Sequence, residues 1–209
     1  MFTSFSSDVE HSLCNCTVHL LRFYNKQTSI NKYPRPGPAS TSWSFYFLTS
    51  PSEPFQWHQH NSIALQKYAQ ECKQRTVRSF FKRDNTWQHC CVTWDRNGAA
   101  EDGVVIFYRD GAETDRDKDL STDRGISTRG NLVIGQYQTS NGGGFDDGKL
   151  LVGQVTDLNI WSRVLTANEV LDLSKNCTTP QGDVVSWDNI VSSQLHGSVQ
   201  KTCPSSCSP

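Results

Sequence analysis

Residues 87–94, Trp87-Gln88-His89-Cys90-Cys91-Val92-Thr93-Trp94, constrain this chain more than any other stretch. Read as a β-strand, the segment sorts its side chains onto two faces, because successive residues of a strand point opposite ways. His89, Cys91 and Thr93 fall on one face; Cys90, Val92 and Trp94 fall on the other. A strand this apolar on both sides predicts burial between two sheets.

The rest of the chain fits that beginning. With 209 residues, 35% of them hydrophobic, it can build one ordinary domain with its own core. Its net charge of -1 leaves no electrostatic footprint for nucleic acid or an anionic membrane. No apolar run reaches the roughly 18 residues that would span a bilayer. Eight cysteines are too many for a typical reduced cytosolic protein and point to an oxidising compartment. The triplets Asn15-Cys16-Thr17 and Asn176-Cys177-Thr178 are N-glycosylation acceptors, which agrees with an extracellular protein or an ectodomain. The first residues carry neither the charged nor the apolar region of a signal peptide. A secreted composition without a leader reads as an excised or incomplete piece of a larger protein.

Residues 1–42 give little to assign beyond a candidate strand at 16–24 and a proline-rich loop at 33–38, and this segment is expected to be truncated. A domain is expected over residues 43–203, followed by a tail or linker at 204–209. Strands are expected at 42–48, 62–68, 87–94, 104–108, 131–135, 150–155, 158–161 and 184–187. Asp110-Gly111 should turn the chain after the fourth of these. Asn141-Gly142-Gly143-Gly144 reads as irregular. Thr166 is an N-cap with Glu169 three residues on, a capping box, so a helix should run over about 167–175 with Val170, Leu171 and Leu173 on its apolar face. Many short strands and one helix argue an all-β, two-sheet sandwich.

The segment His89-Cys90-Cys91-Val92-Thr93-Trp94 reads His-x-Cys-x-Thr-Trp, which resembles the signature of the pentraxin family. Gly135-Gln136-Tyr137-Gln138-Thr139-Ser140-Asn141-Gly142-Gly143-Gly144-Phe145-Asp146 is similar to the calcium loop of that family. Leu151-Val152-Gly153, Leu158-Asn159-Ile160-Trp161 and the helix after Leu165 follow in the same order. The resemblance covers roughly residues 87–190. It implies a flattened antiparallel jelly roll, concanavalin- or laminin-G-like, with one short α-helix. It also implies a non-enzymatic recognition module that binds an extracellular protein, a glycan or a lipid headgroup, free as a homo-oligomer or carried by a larger receptor. Upstream the family has a further pair of strands, of which the first one or two are expected to be absent here.

The resemblance carries disulfide and ligand expectations. The cysteine of His-x-Cys bridges to an upstream strand in the family, which implies Cys91 with Cys16 or Cys14. A late pair in the neuronal and receptor-borne members implies Cys177 with Cys203. Cys72 with Cys90 is a further expected pair, although spacing alone fixes no connectivity. The implied cofactor is Ca2+, with Asn61, Gln138, Asp146 and Asp147 at ligand positions. His60 and Asn61 stand where the family has an Asp-Asn pair. Tyr137 and Thr139 replace two acids, and Lys149 stands where an amide belongs. Hard-ion affinity follows ligand charge, so the site is expected to be weak or lost. Gln66 stands near an expected apolar position, so phosphocholine binding is not predicted.

Other readings are weaker in the sequence. A glycan-acting hydrolase or lyase on a related sandwich would need paired carboxylates, and Asp95, Glu101 and Asp102 qualify only by type. A purely structural domain of a larger receptor is a further alternative. A Cys-His nucleophile at His89 with Cys90 or Cys91 is disfavoured, because adjacent strand residues point apart. A zinc site on Cys14, Cys16, Cys90 and Cys91 lacks the usual spacing. His58 and His60 could share a strand face for a metal. Arg75, Arg78, Lys82 and Arg83 read as a solvated basic face before an anion site. Trp87, Trp94, Trp161 and Trp187 read as core.

Overall fold

The computed structural model describes residues 17–20, 29–30, 40–49, 63–66, 74–77, 81–82, 84–97, 102–118, 132–134, 136–140, 143–150, 153–177, 180–193, 199–203 and 205–207. Its strands are β1 (Thr17–Leu20), β2 (Ser29–Ile30), β3 (Ser40–Thr49), β4 (Ile63–Gln66), β5 (Gln74–Val77), β6 (Trp87–Asn97), β7 (Asp102–Arg109), β8 (Ala112–Asp117), β9 (Leu132–Val133), β10 (Gln136–Ser140), β11 (Gly143–Leu150), β12 (Gly153–Trp161) and β13 (Val199–Thr202). Its helices are α1 (Ala167–Leu173) and α2 (Trp187–Ser192). Seven strands form one antiparallel sheet in the order β13–β1–β12–β3–β6–β7–β8. The pairs β10–β11, β2–β9 and β4–β5 are separate antiparallel ladders. The all-β expectation holds, and β1 brings the little-assigned N-terminal segment into the main sheet.

The two faces of β6 fill two different cores. Cys90, Val92 and Trp94 join Val105 and Phe107 of β7, Val155 and Ile160 of β12, and Trp187, Ile190 and Val191 of α2. Cys91 joins Tyr108 and Trp161 under Leu165, Val170 and Leu173, the last two from α1. The alternation read from residues 87–94 is therefore correct, but among the described residues helices supply part of both covering layers. Trp94, Trp161 and Trp187 are buried as expected, whereas Trp87 is half-buried and its Nε1–H donates to the Ser206 carbonyl at 3.1 Å.

Both edges of the large sheet are blunted. β8 is exposed or half-buried along its length, is rich in charge, and shifts register against β7 between Phe107 and Tyr108. β13 is four residues long and exposes Lys201. Bulges, short strands and edge charges discourage further pairing.

α1 starts where its capping box predicts. Glu169 N–H donates to Thr166 Oγ1 at 3.3 Å, and Thr166 N–H donates to Glu169 Oε2 at 2.8 Å. Val170 and Leu173 are buried, but Leu171 is 45% exposed, so the apolar face is narrower than expected. Leu171 instead flanks the β7–β8 turn. A Cβ on Gly111, at φ +80°, would lie 2.9 Å from Leu171 Cδ1 and 2.5 Å from Ser174 Oγ. The turn at Asp110-Gly111 thus forms as read, and its glycine also admits α1.

The strand expected at 184–187 is not one. Val185 makes an isolated bridge to Ile160, and Trp187 opens α2 behind the N-cap Ser186, whose hydroxyl accepts from Asn189 N–H at 3.3 Å. The organiser is Asn159, fully buried in β12. Its Oδ1 accepts from Gly182 N–H at 3.0 Å and Trp187 N–H at 3.1 Å, and its Nδ2 donates to Asp157 Oδ1 at 2.9 Å. Asp157 sits at φ +55°, in the register shift between Thr156 and Asn159.

The disulfide expectations are corrected. Cys177 bonds Cys207, not Cys203, with Cα atoms 5.9 Å apart. Cys203 is bonded to a cysteine outside the described residues. β13 holds Cys203 at the sheet edge beside β1, and the tail past it is pinned at Ser206 by Trp87, which brings Cys207 to Cys177. Cys90 and Cys91 are free and fully buried, so neither Cys91 with Cys16 or Cys14 nor Cys72 with Cys90 forms. Across the ladders Cys91 meets Ser44 and Tyr108, and Cys90 meets Phe45 and Arg109. No thiol stands opposite either one.

Candidate ligand hairpin

The segment resembling a calcium loop is a β-hairpin. Ser140 of β10 pairs with Gly143 of β11, so two residues connect the strands. Asn-Gly is a strong two-residue hairpin signal, and the sequence supplies it at 141–142. Gly143 and Gly144 therefore belong to a strand, which corrects the irregular reading of this run.

The register places the expected ligands unevenly. Gln138 pairs with Phe145, but Gln136 pairs with Leu150. Between these pairs Tyr137 stands alone on β10, while Asp146, Asp147, Gly148 and Lys149 occupy β11. Four residues against one make a large irregularity in the ladder. Both carried-over acids and the out-of-place lysine fall inside it, and Gln138 and Thr139 are strand positions beside it. His60 and Asn61 lie outside the described residues. Among the described residues no group of three or more His, Cys, Asp or Glu side chains is placed to hold a metal ion. The hairpin itself supplies two carboxylates by sequence, Asp146 and Asp147, whereas a calcium ion wants six to eight oxygens.

The remaining candidates resolve individually. His58, Arg78, Arg83, Glu101, Cys14, Cys16, Cys72 and Asn15 lie outside the described residues. Burial pushes the Cys90 and Cys91 thiols well up and holds His89 down at about 4. Neither a thiolate nor an imidazolium forms there near neutral pH, the reverse of what a Cys-His nucleophile needs. His89 is held in the fold by its backbone, which donates to Asp110 Oδ1 at 3.0 Å and accepts from Asp110 N–H at 2.9 Å. Lys82 pairs with Asp110 at 3.7 Å. Arg75 lies on β5, opposite Leu65. Asp95 pairs with Val104 and Asp102 with Asn97, at one end of the β6–β7 ladder. Asn176 is exposed just beyond α1. The residues that sequence reasoning passed over are Asp157 and Asn159. Their one signal was polarity inside the apolar run from Val155 to Trp161.

Together these elements define a class: an antiparallel β-sandwich with two short covering helices and a glycine-rich hairpin. The chain matches the Pentaxin family model over residues 57–202, and it belongs to that family. It is 39% identical to human neuronal pentraxin-1 over 110 residues, which are 52% of this chain and 24% of that protein. The matched segment thus spans about a quarter of the length of this relative. The native heptameric SAP-like pentraxin from Limulus polyphemus superposes with a TM-score of 0.65, at 17% identity, over 93% of this chain and 96% of that one. The extracellular region of zebrafish Gpr126/Adgrg6 superposes with a TM-score of 0.61, at 16% identity, over 93% of this chain and 28% of that one. The pentraxin jelly roll expected from the sequence is the fold observed.

Proposed function

We propose that this chain is an extracellular, non-enzymatic recognition module of pentraxin type that binds its partner without calcium. The carrying observation is the β10–β11 register. Tyr137 and Thr139 occupy strand positions where the resemblance calls for acids, and Asp146 and Asp147 share their bulge with Lys149. Two lost carboxylates and an added cation leave too little negative charge to replace the hydration of a hard divalent ion. A protein, glycan or lipid headgroup then has to be held by direct contacts. The SAP-like pentraxin from Limulus is a heptamer, and the same mode of assembly, a closed homo-oligomer, is proposed here. Its contacts would come from sheet faces and loops, since both edges of the large sheet are blunted. The cysteine content, with Cys177–Cys207 formed, supports an oxidising location. Among the described residues no helix is long and apolar enough to cross a membrane.

The test is a calcium titration by calorimetry on the protein and on a Tyr137→Glu, Thr139→Asp, Lys149→Gln variant. The reading expects heat of binding only in the variant. Saturable binding by the unaltered protein at submillimolar calcium would overturn it.

A further inference from the structure

We propose that Asn176 carries an N-linked oligosaccharide, and that the site is modified before the Cys177–Cys207 disulfide closes. This rests on the extracellular reading above. Three observations meet at this residue. The sequence Asn176-Cys177-Thr178 has the acceptor pattern. Asn176 is exposed and lies past the C-cap Ser174, outside any helix or strand, where a bulky polar group meets no core. Its neighbour Cys177 is buried and bonded to Cys207, 30 residues later in the chain. In the folded protein that bond fixes the middle residue of the acceptor. During synthesis the order is reversed: Asn176 enters the lumen ahead of Cys207, so the triplet meets the transferase before the two cysteines meet each other.

The chemistry balances with a lipid-linked oligosaccharide diphosphate as donor. The Asn176 amide nitrogen forms a bond to the anomeric carbon. The anomeric carbon–oxygen bond to the diphosphate breaks, the lipid diphosphate leaves with that electron pair, and the amide gives up one proton. The glycan would stand beside α1, which exposes Leu171, and would keep that end of the helix out of subunit contacts.

The test is translation into microsomes with a supplied leader, followed by glycosidase digestion in 18O water and peptide mass analysis of all protease-protected chain. The expected result is 18O-labelled aspartate at position 176, lost in Asn176→Gln and Thr178→Ala, retained in Thr178→Ser, and undiminished in Cys207→Ser. Unmodified Asn176 in translocated chain overturns the site. Higher occupancy in Cys207→Ser overturns the ordering. The supplied leader separates these results from a failure of the extracellular reading, which would appear as absence of the protein from both the medium and the surface of cells that make it.

Discussion

Cys91 on β6 stands directly across the ladder from Ser44 on β3. Its partner on the other side is Tyr108. A thiol at the signature position of the family therefore has no thiol to bond, and it serves as a small apolar group under α1. Both Cys90 and Cys91 should resist alkylation in native buffer and react fully in guanidinium, as read by intact mass. Directly paired residues sit about 4.5–5.5 Å apart at Cα, within disulfide range. Ser44→Cys should accordingly consume one of the two thiols on oxidation. Native alkylation of either cysteine would contradict the burial.

Asn159 ties β12 to Gly182 and to the start of α2 at Trp187, through one part-buried and one buried N–H group. Asn159→Ala leaves both without their acceptor and should cost about 2–4 kcal/mol, since an orphaned buried group costs about 1–3 kcal/mol and the part-buried Gly182 N–H less. Urea denaturation would measure this. A loss under about 1 kcal/mol, within the ordinary worth of a single hydrogen bond, would mean the network is dispensable.

Gly111 and Gly182 are both needed for close approach. A Cβ on Gly182 would meet Ile160 N at 2.6 Å as well as the carbonyls of Val185 and Ile160. Backbone cannot step aside as a side chain can, so Gly182→Ala should destabilise by about 3 kcal/mol, at the upper end for overpacking. Gly111→Ala meets flexible Leu171 and Ser174 side chains but keeps a positive φ, and about 1–2 kcal/mol is expected. Thermal melts of the two variants should rank them in that order.

His89 gives the fold a pH dependence. Burial lowers its value from 6.5 to about 4 in the folded protein. The unfolded chain then takes up a proton below about pH 6.5 that the folded chain refuses. Stability contributed by neutral His89 is whole above pH 6.5 and is lost as pH falls toward 4, by about 3 kcal/mol in all. Glu169, held down at about 2 first by Arg163 and then by the Thr166 N–H, loses its contribution in a lower window, from about 4.5 downward. Denaturation midpoints between pH 7 and 4.5 should fall for the parent and stay flatter for His89→Gln. Equal slopes would remove His89 as the cause.

What could be read from the sequence was whatever depends on neighbours in sequence. The alternation of residues 87–94, the capping box of Thr166 and Glu169, and the Asp110-Gly111 turn are local, and all three formed. Cysteine pairing is a matter of distant approach: Cys177 bonds Cys207, 30 residues on, beside the contact of Trp87 with the Ser206 carbonyl. α2 was hidden because Val184 and Val185 look like a strand, while the Ser186 N-cap and the Asn159 bond across to Trp187 favour the helix. β13 was hidden because Val199-Gln200-Lys201-Thr202 is polar, as an exposed edge strand is. In the hairpin, the residue types at 137, 139 and 149 were readable, but the bulge that gathers Asp146 to Lys149 opposite Tyr137 is a property of register.

Thermal melting of the oxidised domain in millimolar calcium and then in chelator tests the central claim most directly. A ligand at about 100 times its dissociation constant stabilises by about 2.7 kcal/mol, which for a chain of this length raises the midpoint by about 5–10 °C. The calcium-independent module proposed here predicts the same midpoint in both buffers. A rise of that size in calcium, reversed by the chelator, would contradict it and would mean that Gln138, Asp146 and Asp147 still assemble a working metal site.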